Sequence, residues 1–421
     1  MYLGNQKHTN PQKWLTGKVF IWSLFDFANS SFAVIVVAFV YAIYFKKVIA
    51  FNEPVADFYW SASINISMIV VALLSPVLGA SADYYSNKKK YLLFFTLLCV
   101  VTTALLYFVG EGMIWQGMLI FILANIGFQA GLGFYDAFLK EITETENYNK
   151  VSSLGYAVGY AGSLFALVSV LIFKDEPRIT FLCCAAIFLL FALPFFSSVK
   201  ENPSVLQRTD WKPNFIKIGF QRVSETLGHL RQYKNLRNYL IAYFIYIDGV
   251  NTIIFFSAIY AQTTLGFTIS ELILFFVIIQ VTALIGSLIL GSLADRIGTK
   301  KTIMLNLAGW TLLTAIIFFS YDKTSFLIIG GFAGLFLGSV QALSRSFMSG
   351  LTPDDKKTEF FGFYSLFEKT STILGPLTFG LVSWLTGNQR YAVISIVLFF
   401  LLGMILLGRV NSPEIKKALT L

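Results

Sequence analysis

The feature that most constrains this chain is a succession of long apolar runs with little sequence between them. A helix needs about 20 apolar residues to cross the hydrocarbon core of a bilayer. Because lipid leaves backbone N–H and C=O groups without partners, each such run is predicted to be a helix. The sequence thus predicts an all-α membrane protein with twelve transmembrane helices, numbered helix 1 to helix 12 in chain order. The runs cover residues 19–45, 58–82, 91–109, 113–139, 151–173, 179–198, 238–263, 270–294, 302–320, 324–349, 358–386 and 391–409.

The amino-acid composition excludes a water-soluble fold. Charged residues make up 13% of the 421 residues, whereas soluble domains carry about 25%. The net charge of +9 is attributed to loops beside the membrane, because no nucleic-acid-binding motif is visible. The three cysteines lie inside apolar runs and show neither a CxxC pair nor metal-ligand spacing. No cofactor, no metal and no nucleic-acid partner is therefore expected.

The positions of the basic residues predict the orientation in the membrane. Cytoplasmic loops of membrane proteins carry an excess of Lys and Arg. Twelve helices put both termini on one side, and that side holds 24 of the 32 basic residues. The opposite loops hold six, and Arg345 and Lys369 fall inside helices. Both termini and the long loop 199–237 are therefore predicted to be cytoplasmic. The first apolar run is longer than the core of a signal peptide and is predicted to be an uncleaved membrane helix.

Cysteine labelling tests this orientation. With the three native cysteines replaced, a cysteine at Gln207 is expected to react only with reagent on the cytoplasmic side. Cysteines at Asn52 and Asn388 are expected to react from the opposite side, because the loops that contain them are poor in basic residues. Labelling of the Gln207 position from outside would contradict the predicted topology.

The chain repeats itself in two halves. The segment GASAD at 79–83, at the end of helix 2, matches GSLAD at 291–295, at the end of helix 8. The predicted organisation is therefore a six-helix half over 1–198, a cytoplasmic basic linker over 199–237 and a second six-helix half over 238–421. Apolar residues of the linker recur near helical spacing. They indicate either an amphipathic helix on the membrane surface or a solvated linker helix, and both interpretations stay open.

The repeated loops resemble the loop motif of the major facilitator superfamily. Gly291, Asp295 and Arg296 belong to a nearly complete copy, which continues into two lysines. The first copy departs from the usual pattern at Tyr84, where Arg is usual, and at Ser86, where Gly is usual. Four further blocks resemble the autophagy-associated vacuolar amino-acid effluxer-like branch of this superfamily. They are FDFANS at 25–30, SSLGYAVGY at 152–160, QALSRS at 341–346 and EFFGFY at 359–364.

This resemblance implies a secondary active transporter that works by alternating access. Its substrate site would lie between two parallel six-helix repeats near the midplane of the membrane. Efflux of amino acids or similar small polar solutes is implied, and the choice of a proton as coupling ion stays open. The expected setting is a monomer in the bilayer of a bacterial cytoplasmic (inner) membrane, with a small molecule as substrate.

Polar residues inside the predicted helices are the candidates for the substrate and coupling-ion site, because buried charge in a membrane is costly. Asp26, Asn29 and Ser30 share one face of helix 1 by their spacing. Asp248 and Asn251 repeat the pattern in helix 7. Both clusters are therefore predicted to line a cavity, with interhelical hydrogen bonding as the alternative.

Three further polar residues complete the candidate substrate site. Glu368 and Lys369 lie near the middle of helix 11, where Lys369 is predicted either to bind a substrate carboxylate or to pair with Asp248. Gln129 on helix 4 is a weaker cavity candidate. The dipeptide Gly375-Pro376 and Pro76 are expected to kink helices 11 and 2.

The candidate gating residues lie at the cytoplasmic ends of the helices. Asp136 and Lys140 have the i, i+4 spacing of a local ion pair. Lys140 and Arg345 are predicted to take part in gating or surface pairing rather than to contact the substrate. The carboxylates of the repeated motif are predicted to pair with Arg296, other basic side chains or helix N-termini. The full candidate set is Gly79, Asp83, Lys88, Lys89, Lys140, Gly291, Asp295, Arg296 and Arg345.

Two other functional classes fit the sequence less well than transport. A membrane-embedded enzyme would have few catalytic groups, since the two histidines, His8 and His229, fall outside the predicted helices and no HExxH, GxSxG or Walker motif occurs. A channel or sensor is the other alternative, but a two-fold repeat with matched loops suits alternating access better. The chain is therefore not expected to be an enzyme.

Overall fold

A computed structural model describes residues 14–51, 56–173, 176–201, 220–221, 223–225, 232–372 and 374–412. Within these ranges the chain is helical almost throughout and contains no strand. The amphipathic helix predicted in the 199–237 linker falls largely outside the described residues. The boundaries 1–198, 199–237 and 238–421 stay a prediction.

The observed helices follow the predicted apolar runs. Among the described residues, eleven helices are long and apolar enough to cross a membrane. They are helix 1 (Gly17–Ile49), helix 2 (Ala56–Tyr85), helix 3 (Lys88–Leu105), helix 4 (Ile114–Ala137), helix 5 (Tyr148–Ile172), helix 6 (Pro177–Ser198), helix 7 (Lys234–Thr263), helix 8 (Ile269–Ile297), helix 9 (Thr299–Phe319), helix 10 (Lys323–Leu351) and helix 12 (Gln389–Gly408).

Helix 11 is the twelfth span and is broken in the middle. It consists of helix 11a (Lys357–Ser371) and helix 11b (Leu374–Thr386). Pro376 explains the break, because it has no N–H to donate to the carbonyl of Thr372 and its ring crowds that carbonyl. The kink predicted at Gly375-Pro376 is thereby confirmed, whereas the structure assigns helix 2 as one helix that contains Pro76.

Polar residues start several helices at the ends of the apolar runs. The Thr16 hydroxyl accepts from the backbone N–H of Val19 at the start of helix 1. Thr268 and Glu271 form a reciprocal capping box at the start of helix 8, and Asp322 caps helix 10 by accepting from the N–H of Ser325 at 2.8 Å. These caps satisfy backbone donors that the first helical turn leaves free.

The apolar side chains form two separate cores. One is built from buried residues of helices 1 to 6 and the other almost entirely from helices 7 to 12. The arrangement is a twelve-helix fold of two six-helix bundles. Polar residues that lie between the two cores are therefore placed where the bundles face each other, and there they surround a cavity.

Candidate functional site

The central cavity lies between the two bundles and has a volume of about 340 Å³. Six of the eight residues predicted for the substrate and coupling-ion site line it. They are Asp26, Asn29, Ser30, Gln129, Glu368 and Lys369. Aromatic side chains contribute much of the remaining wall, namely Phe128, Tyr156, Tyr160, Tyr243 and Tyr364. The cavity thus combines charged groups with aromatic surfaces.

Arg345 lines this cavity and joins the bundles. It belongs to helix 10, yet its guanidinium reaches into the first bundle and only 1% of the residue is exposed. Its Nη1 donates to Asp136 at 3.0 Å, and Nη1 and Nη2 lie 3.3 Å from Asp26 Oδ2. Its Nε and Nη2 donate to the hydroxyl and the carbonyl of Ser152, each at 2.9 Å.

Aromatic rings complete the environment of this guanidinium. Its carbon lies 4.7 Å from the centre of the Trp22 ring and 4.3 Å from that of Tyr156. Tyr135 donates its hydroxyl to Asp26 at 2.8 Å. A Cβ at Gly155 would lie 2.8 Å from Arg345 Nη2, so that only glycine leaves room for the cluster. The cluster is therefore a closely packed charge network that spans both bundles.

This network bears on two predictions. Arg345 was predicted to take part in gating or surface pairing. Its burial beside two carboxylates rules out surface pairing, whereas a role in gating stays a prediction. Asp136 was predicted to pair with Lys140, four residues later, but it pairs with Arg345, whereas Lys140 pairs with Asp354 at 2.9 Å. Helix 4 ends at Ala137, so the i, i+4 geometry that the prediction assumed is interrupted.

Glu368 and Lys369 form a second charged pair in the wall of the cavity. The Nζ of Lys369 lies 3.1 Å from Glu368 Oε1, and the Glu368 side chain is 32% exposed. Both side chains line the cavity. The alternative pairing of Lys369 with Asp248 is therefore not observed. The cavity holds three carboxylates (Asp26, Asp136 and Glu368) and two cations (Arg345 and Lys369).

Neutral polar groups on helices 1 and 4 have hydrogen-bonding capacity to spare. Asn29 Oδ1 lies 3.5 Å from the Ser30 hydroxyl. Among the described residues, Asn29 Nδ2 and Gln129 Oε1 are buried without a hydrogen-bond partner. Because an unpaired buried polar atom is costly, these two atoms are available to a bound solute.

A smaller apolar cavity of about 150 Å³ adjoins the central one. The two share Val34, Ala38, Ile254, Gln280 and Leu337. Apart from Gln280 and Ser257, the smaller cavity is lined by side chains without polar atoms. A molecule in the central cavity therefore has an adjacent apolar compartment into which a hydrocarbon group can extend.

The repeated cluster on helix 7 behaves differently from its counterpart on helix 1. Neither Asp248 nor Asn251 is among the residues that line the central cavity. Asp248 is fully buried and accepts from the backbone N–H of Gly375 in helix 11b at 2.8 Å. The prediction that both clusters line the cavity is thus wrong for helix 7, because the break in helix 11 offers the carboxylate a backbone partner that has no equivalent beside helix 1.

The candidate gating residues of the first motif copy contact helix 11a. A Cβ at Gly79 would overlap the backbone carbonyl of Thr358. Asp83 Oδ2 accepts from the backbone N–H of Glu359 at 2.8 Å, in the first turn of the helix. A carboxylate at this position also interacts favourably with the positive end of the helix dipole. Helices 2 and 11a therefore meet through backbone as well as side-chain atoms.

The second motif copy joins helix 8 to helix 5. Gly291 packs against Ser153, where a Cβ would overlap the hydroxyl. Asp295 accepts from Asn149 at 3.2 Å and lies 3.6 Å from Lys150 Nζ. Arg296 is exposed, and the described residues show no ion pair between it and Asp295. Asp295 was predicted to pair with Arg296, with another basic side chain or with a helix N-terminus. In the structure its partners are Asn149 and Lys150.

Ion pairs add further contacts at the helix ends that carry the two motif copies. Glu141, in the short helix Leu139–Ile142 that follows helix 4, binds both Lys88 and Lys357, the latter at 2.6 Å, and so connects the starts of helices 3 and 11a. Lys140 binds Asp354 and the carbonyl of Thr352. Its hydrogen bond to Asp354 holds the pKa of that carboxyl below its usual range. Lys89 binds Val199 and, with its backbone N–H, Glu201. These contacts and the two motif contacts are together called the latch.

Several residues of the site were not predicted from the sequence. Asp136 was predicted to form only a local pair, and no sequence pattern indicated the latch residues Glu141, Asn149, Asp354 and Lys357. Tyr156 and Tyr160 lie within the block at 152–160 that carried the resemblance, and a tyrosine at i and i+4 on one helical face was an available signal. The partners of Arg345 lie 193 to 319 residues away in sequence, and no local pattern marks them.

Comparison with known proteins identifies the family. A protein-family model described as "Vacuole effluxer Atg22 like" matches residues 58–147 and 139–419. An uncharacterized MFS-type transporter, YxiO of Bacillus subtilis, is 32% identical over 93% of this chain and 94% of its own length. The chain belongs to the Atg22-like family of the major facilitator superfamily.

More distant members and solved structures agree with this assignment. The autophagy-related protein 22 of Kluyveromyces lactis is 28% identical over 60% of this chain and 56% of its own. The proton:xylose symporter XylE superposes with a TM-score of 0.74 at 14% identity, covering 94% of this chain and 96% of its own. The Escherichia coli fucose:proton symporter FucP gives 0.72 at 15% identity, covering 94% and 97%.

The family assignment settles the broad class of this protein. The major facilitator fold predicted from the repeats is confirmed, and the described helices form an integral, multi-pass membrane protein. Its relatives are transporters, so the Atg22-like chain is a secondary transporter rather than an enzyme. The residues that line the cavity are the basis for proposing a solute and a coupling ion.

Proposed function

We propose that this Atg22-like protein transports amino acids with apolar side chains, bound as zwitterions between the two bundles. The observation that carries the proposal is the Glu368–Lys369 pair, a carboxylate and an ammonium 3.1 Å apart in the wall of the cavity. A zwitterion can exchange this pair for two new ones, with its amino group on Glu368 and its carboxylate on Lys369. Such an exchange leaves no charge unpaired in the membrane.

The rest of the cavity supports the same class of solute. Asp136, whose side chain is 13% exposed, provides a second partner for an amino group. The adjoining cavity of about 150 Å³ is suited to an aliphatic or aromatic side chain. Asn29 and Gln129 supply hydrogen-bonding atoms that have no partner among the described residues.

Alternating access explains the position of the latch. The Arg345 network lines the cavity, and the latch residues lie at or near the helix ends that are predicted to be cytoplasmic. We propose that the latch closes the cytoplasmic side in this structure and opens when the solute crosses. The family description favours efflux as the direction. Because a carrier is reversible, the gradients across the membrane set the net flux.

Charge balance supports coupling to a cation. The three carboxylates and two cations around the cavity sum to one negative charge when all are ionised. A neutral zwitterion does not change this sum, whereas a bound cation cancels it. A proton is the simplest such cation, and we propose that it moves together with the amino acid or in exchange for it.

Transport by purified protein in liposomes tests the proposal. Leucine and phenylalanine are expected to be transported, whereas leucinol, which lacks the carboxylate, and 4-methylpentanoate, which lacks the amino group, are not. Lys369→Met is expected to reduce leucine transport about tenfold or more, since a hydrogen bond to a charged group contributes about 1.5–3 kcal/mol and 1.4 kcal/mol corresponds to a factor of ten.

The matched control for that variant is Lys301→Met, which removes an exposed lysine at the start of helix 9. It is expected to transport leucine normally. Transport of xylose or fucose with no response to amino acids would contradict the proposal, as would equal transport of leucine and leucinol. Repeating the leucine assay with and without a pH gradient, from either side, tests coupling and direction.

A further inference from the structure

The break in helix 11 brings a buried carboxylate against a helix terminus. Asp248 of helix 7 is fully buried, and its Oδ2 accepts from the N–H of Gly375 in the first turn of helix 11b. Its Oδ1 has no hydrogen-bond partner among the described residues. The hydroxyl of Thr252 lies beside it but donates to the backbone carbonyl of Asp248 at 2.7 Å.

Glycine is required for this approach. A Cβ at Gly375 would overlap Thr252 Oγ1 and lie 2.6 Å from Asp248 Oδ1. Two oxygens, Asp248 Oδ1 and Thr252 Oγ1, therefore lie close to the same point on helix 11b. The carboxylate and the hydroxyl thus present oxygen atoms to the start of helix 11b.

No cation of the described part of the chain neutralises Asp248. Helix 11b and the part of helix 12 over Val397–Gly408 carry no charged residue. The other helices packed against helix 7 carry charged groups that are bound elsewhere or lie near helix ends. These groups are Lys357 with Glu141, Lys369 with Glu368, Arg345 with Asp26 and Asp136, Lys323 with Glu271, Asp295 with Lys150, Glu359 beside Asp83, and Arg296 at the end of helix 8.

We propose that Asp248, Thr252 and the start of helix 11b form a binding site for a monovalent cation, either a proton or Na⁺. The N–H of Gly375 and the start of helix 11b offer an ionised Asp248 only partial positive charge. A carboxylate buried without a full counter-charge is disfavoured, so a proton or an ion at this position stabilises it. Discontinuous helices in transporters place backbone ends where ions and carboxylates meet. The oxygens around Asp248 form such a place outside the substrate cavity.

The same contact gives the cation a route to the substrate. Helix 11a carries Glu368 and Lys369 in the cavity wall, and helix 11b is bound to Asp248 through Gly375. A change of charge at Asp248 alters its bond to Gly375 and thereby the angle between the two parts of helix 11. This coupling role rests on the proposed transport function, whereas the cation site itself does not.

Thermal unfolding of the purified protein without substrate tests the site. If the cation is a proton, the Tm of the wild type in choline chloride falls as the pH rises from 6 to 8.5. If it is Na⁺, replacing choline by Na⁺ at pH 8.5 raises the Tm. Asp248→Asn, which is neutral throughout, is expected to lose whichever response the wild type shows. Asp322→Asn, which removes the exposed helix cap of the loop before helix 10, is expected to keep it.

A second measurement keeps the test decisive if Asp248→Asn does not fold. Dicyclohexylcarbodiimide reacts with protonated carboxyls in apolar surroundings, and peptide mass spectrometry of the wild type locates the product. Labelling of Asp248 is expected to fall about tenfold for each pH unit above its midpoint, or to be suppressed by Na⁺ but not by choline.

Two results would overturn the site: the same pH and Na⁺ responses in Asp248→Asn as in the wild type, or a wild type that responds to neither and is never labelled at Asp248. Neither measurement contains an amino acid, so failure of the leucine assay leaves the cation site standing. Conversely, loss of the cation site leaves the substrate assignment standing.

Discussion

Arg345→Met is expected to abolish transport and to lower the free energy of unfolding by about 3–5 kcal/mol, the range measured when one partner of a buried ion pair is removed. Arg345 is 1% exposed and neutralises both Asp26 and Asp136. Without it, two carboxylates remain in the cavity wall without a counter-charge, and the bundles lose a connection between helices 1, 4, 5 and 10. Chemical denaturation and leucine transport of the purified variant measure the two effects.

The charge and the shape of Arg345 are separable. Arg345→Lys keeps the charge but loses the planar fork that reaches Asp26, Asp136 and Ser152 together. It is therefore expected to be more stable than Arg345→Met and still strongly impaired in transport. Adding Asp26→Asn and Asp136→Asn to Arg345→Met removes the unpaired charges and is expected to restore much of the stability but no transport.

Arg409→Met is the matched control, because Arg409 is exposed at the end of helix 12. A surface substitution of this kind changes stability by about 0.5 kcal/mol or less. An Arg345→Met protein as stable as the Arg409→Met control would show that the buried network contributes nothing to the fold. Normal leucine transport by it would show that the network is not part of the transport cycle.

The second large effect is expected from Gly79→Val in the latch. Its side chain would overlap the carbonyl of Thr358, so helices 2 and 11a cannot approach as closely as they do here. The protein should therefore populate the state with an open cytoplasmic side. In a protein without native cysteines, a cysteine at Leu132 in the cavity wall reports this change. A membrane-impermeant maleimide added on the cytoplasmic side should label it much faster in Gly79→Val than in the parent.

Gly408→Val provides the matched control for the latch. This glycine ends helix 12, and nothing within 4 Å would meet a Cβ there. Labelling at Leu132 should match that of the parent. If Gly79→Val also labels at the parental rate while remaining folded, the contact between helices 2 and 11a does not control access. Asp83→Asn, which weakens the bond to the Glu359 N–H, should shift labelling in the same direction but less.

Sequence alone determined the membrane architecture of this protein. Hydropathy is a property of consecutive residues, and a bilayer accepts few structures, so eleven of the twelve runs appear among the described residues as spans long enough to cross a membrane, and the twelfth appears as the two parts of helix 11. The break itself was also predictable, because the missing N–H of Pro376 acts on its own helix. The matching segments at 79–83 and 291–295 likewise marked the helix ends that meet the opposite bundle.

Only the tertiary structure decided which charges meet. Local spacing suggested a pair between Asp136 and Lys140, and the repeat suggested equal roles for Asp26 and Asp248. In the fold, Asp136 and Asp26 share Arg345 from the other bundle, whereas Asp248 turns to the interrupted backbone of helix 11. The physical reason is that an ion pair inside a membrane depends on the rotation and packing of whole helices, which bring together side chains hundreds of residues apart. A periodic pattern shows which residues share a helix face, but not which face of another helix lies opposite.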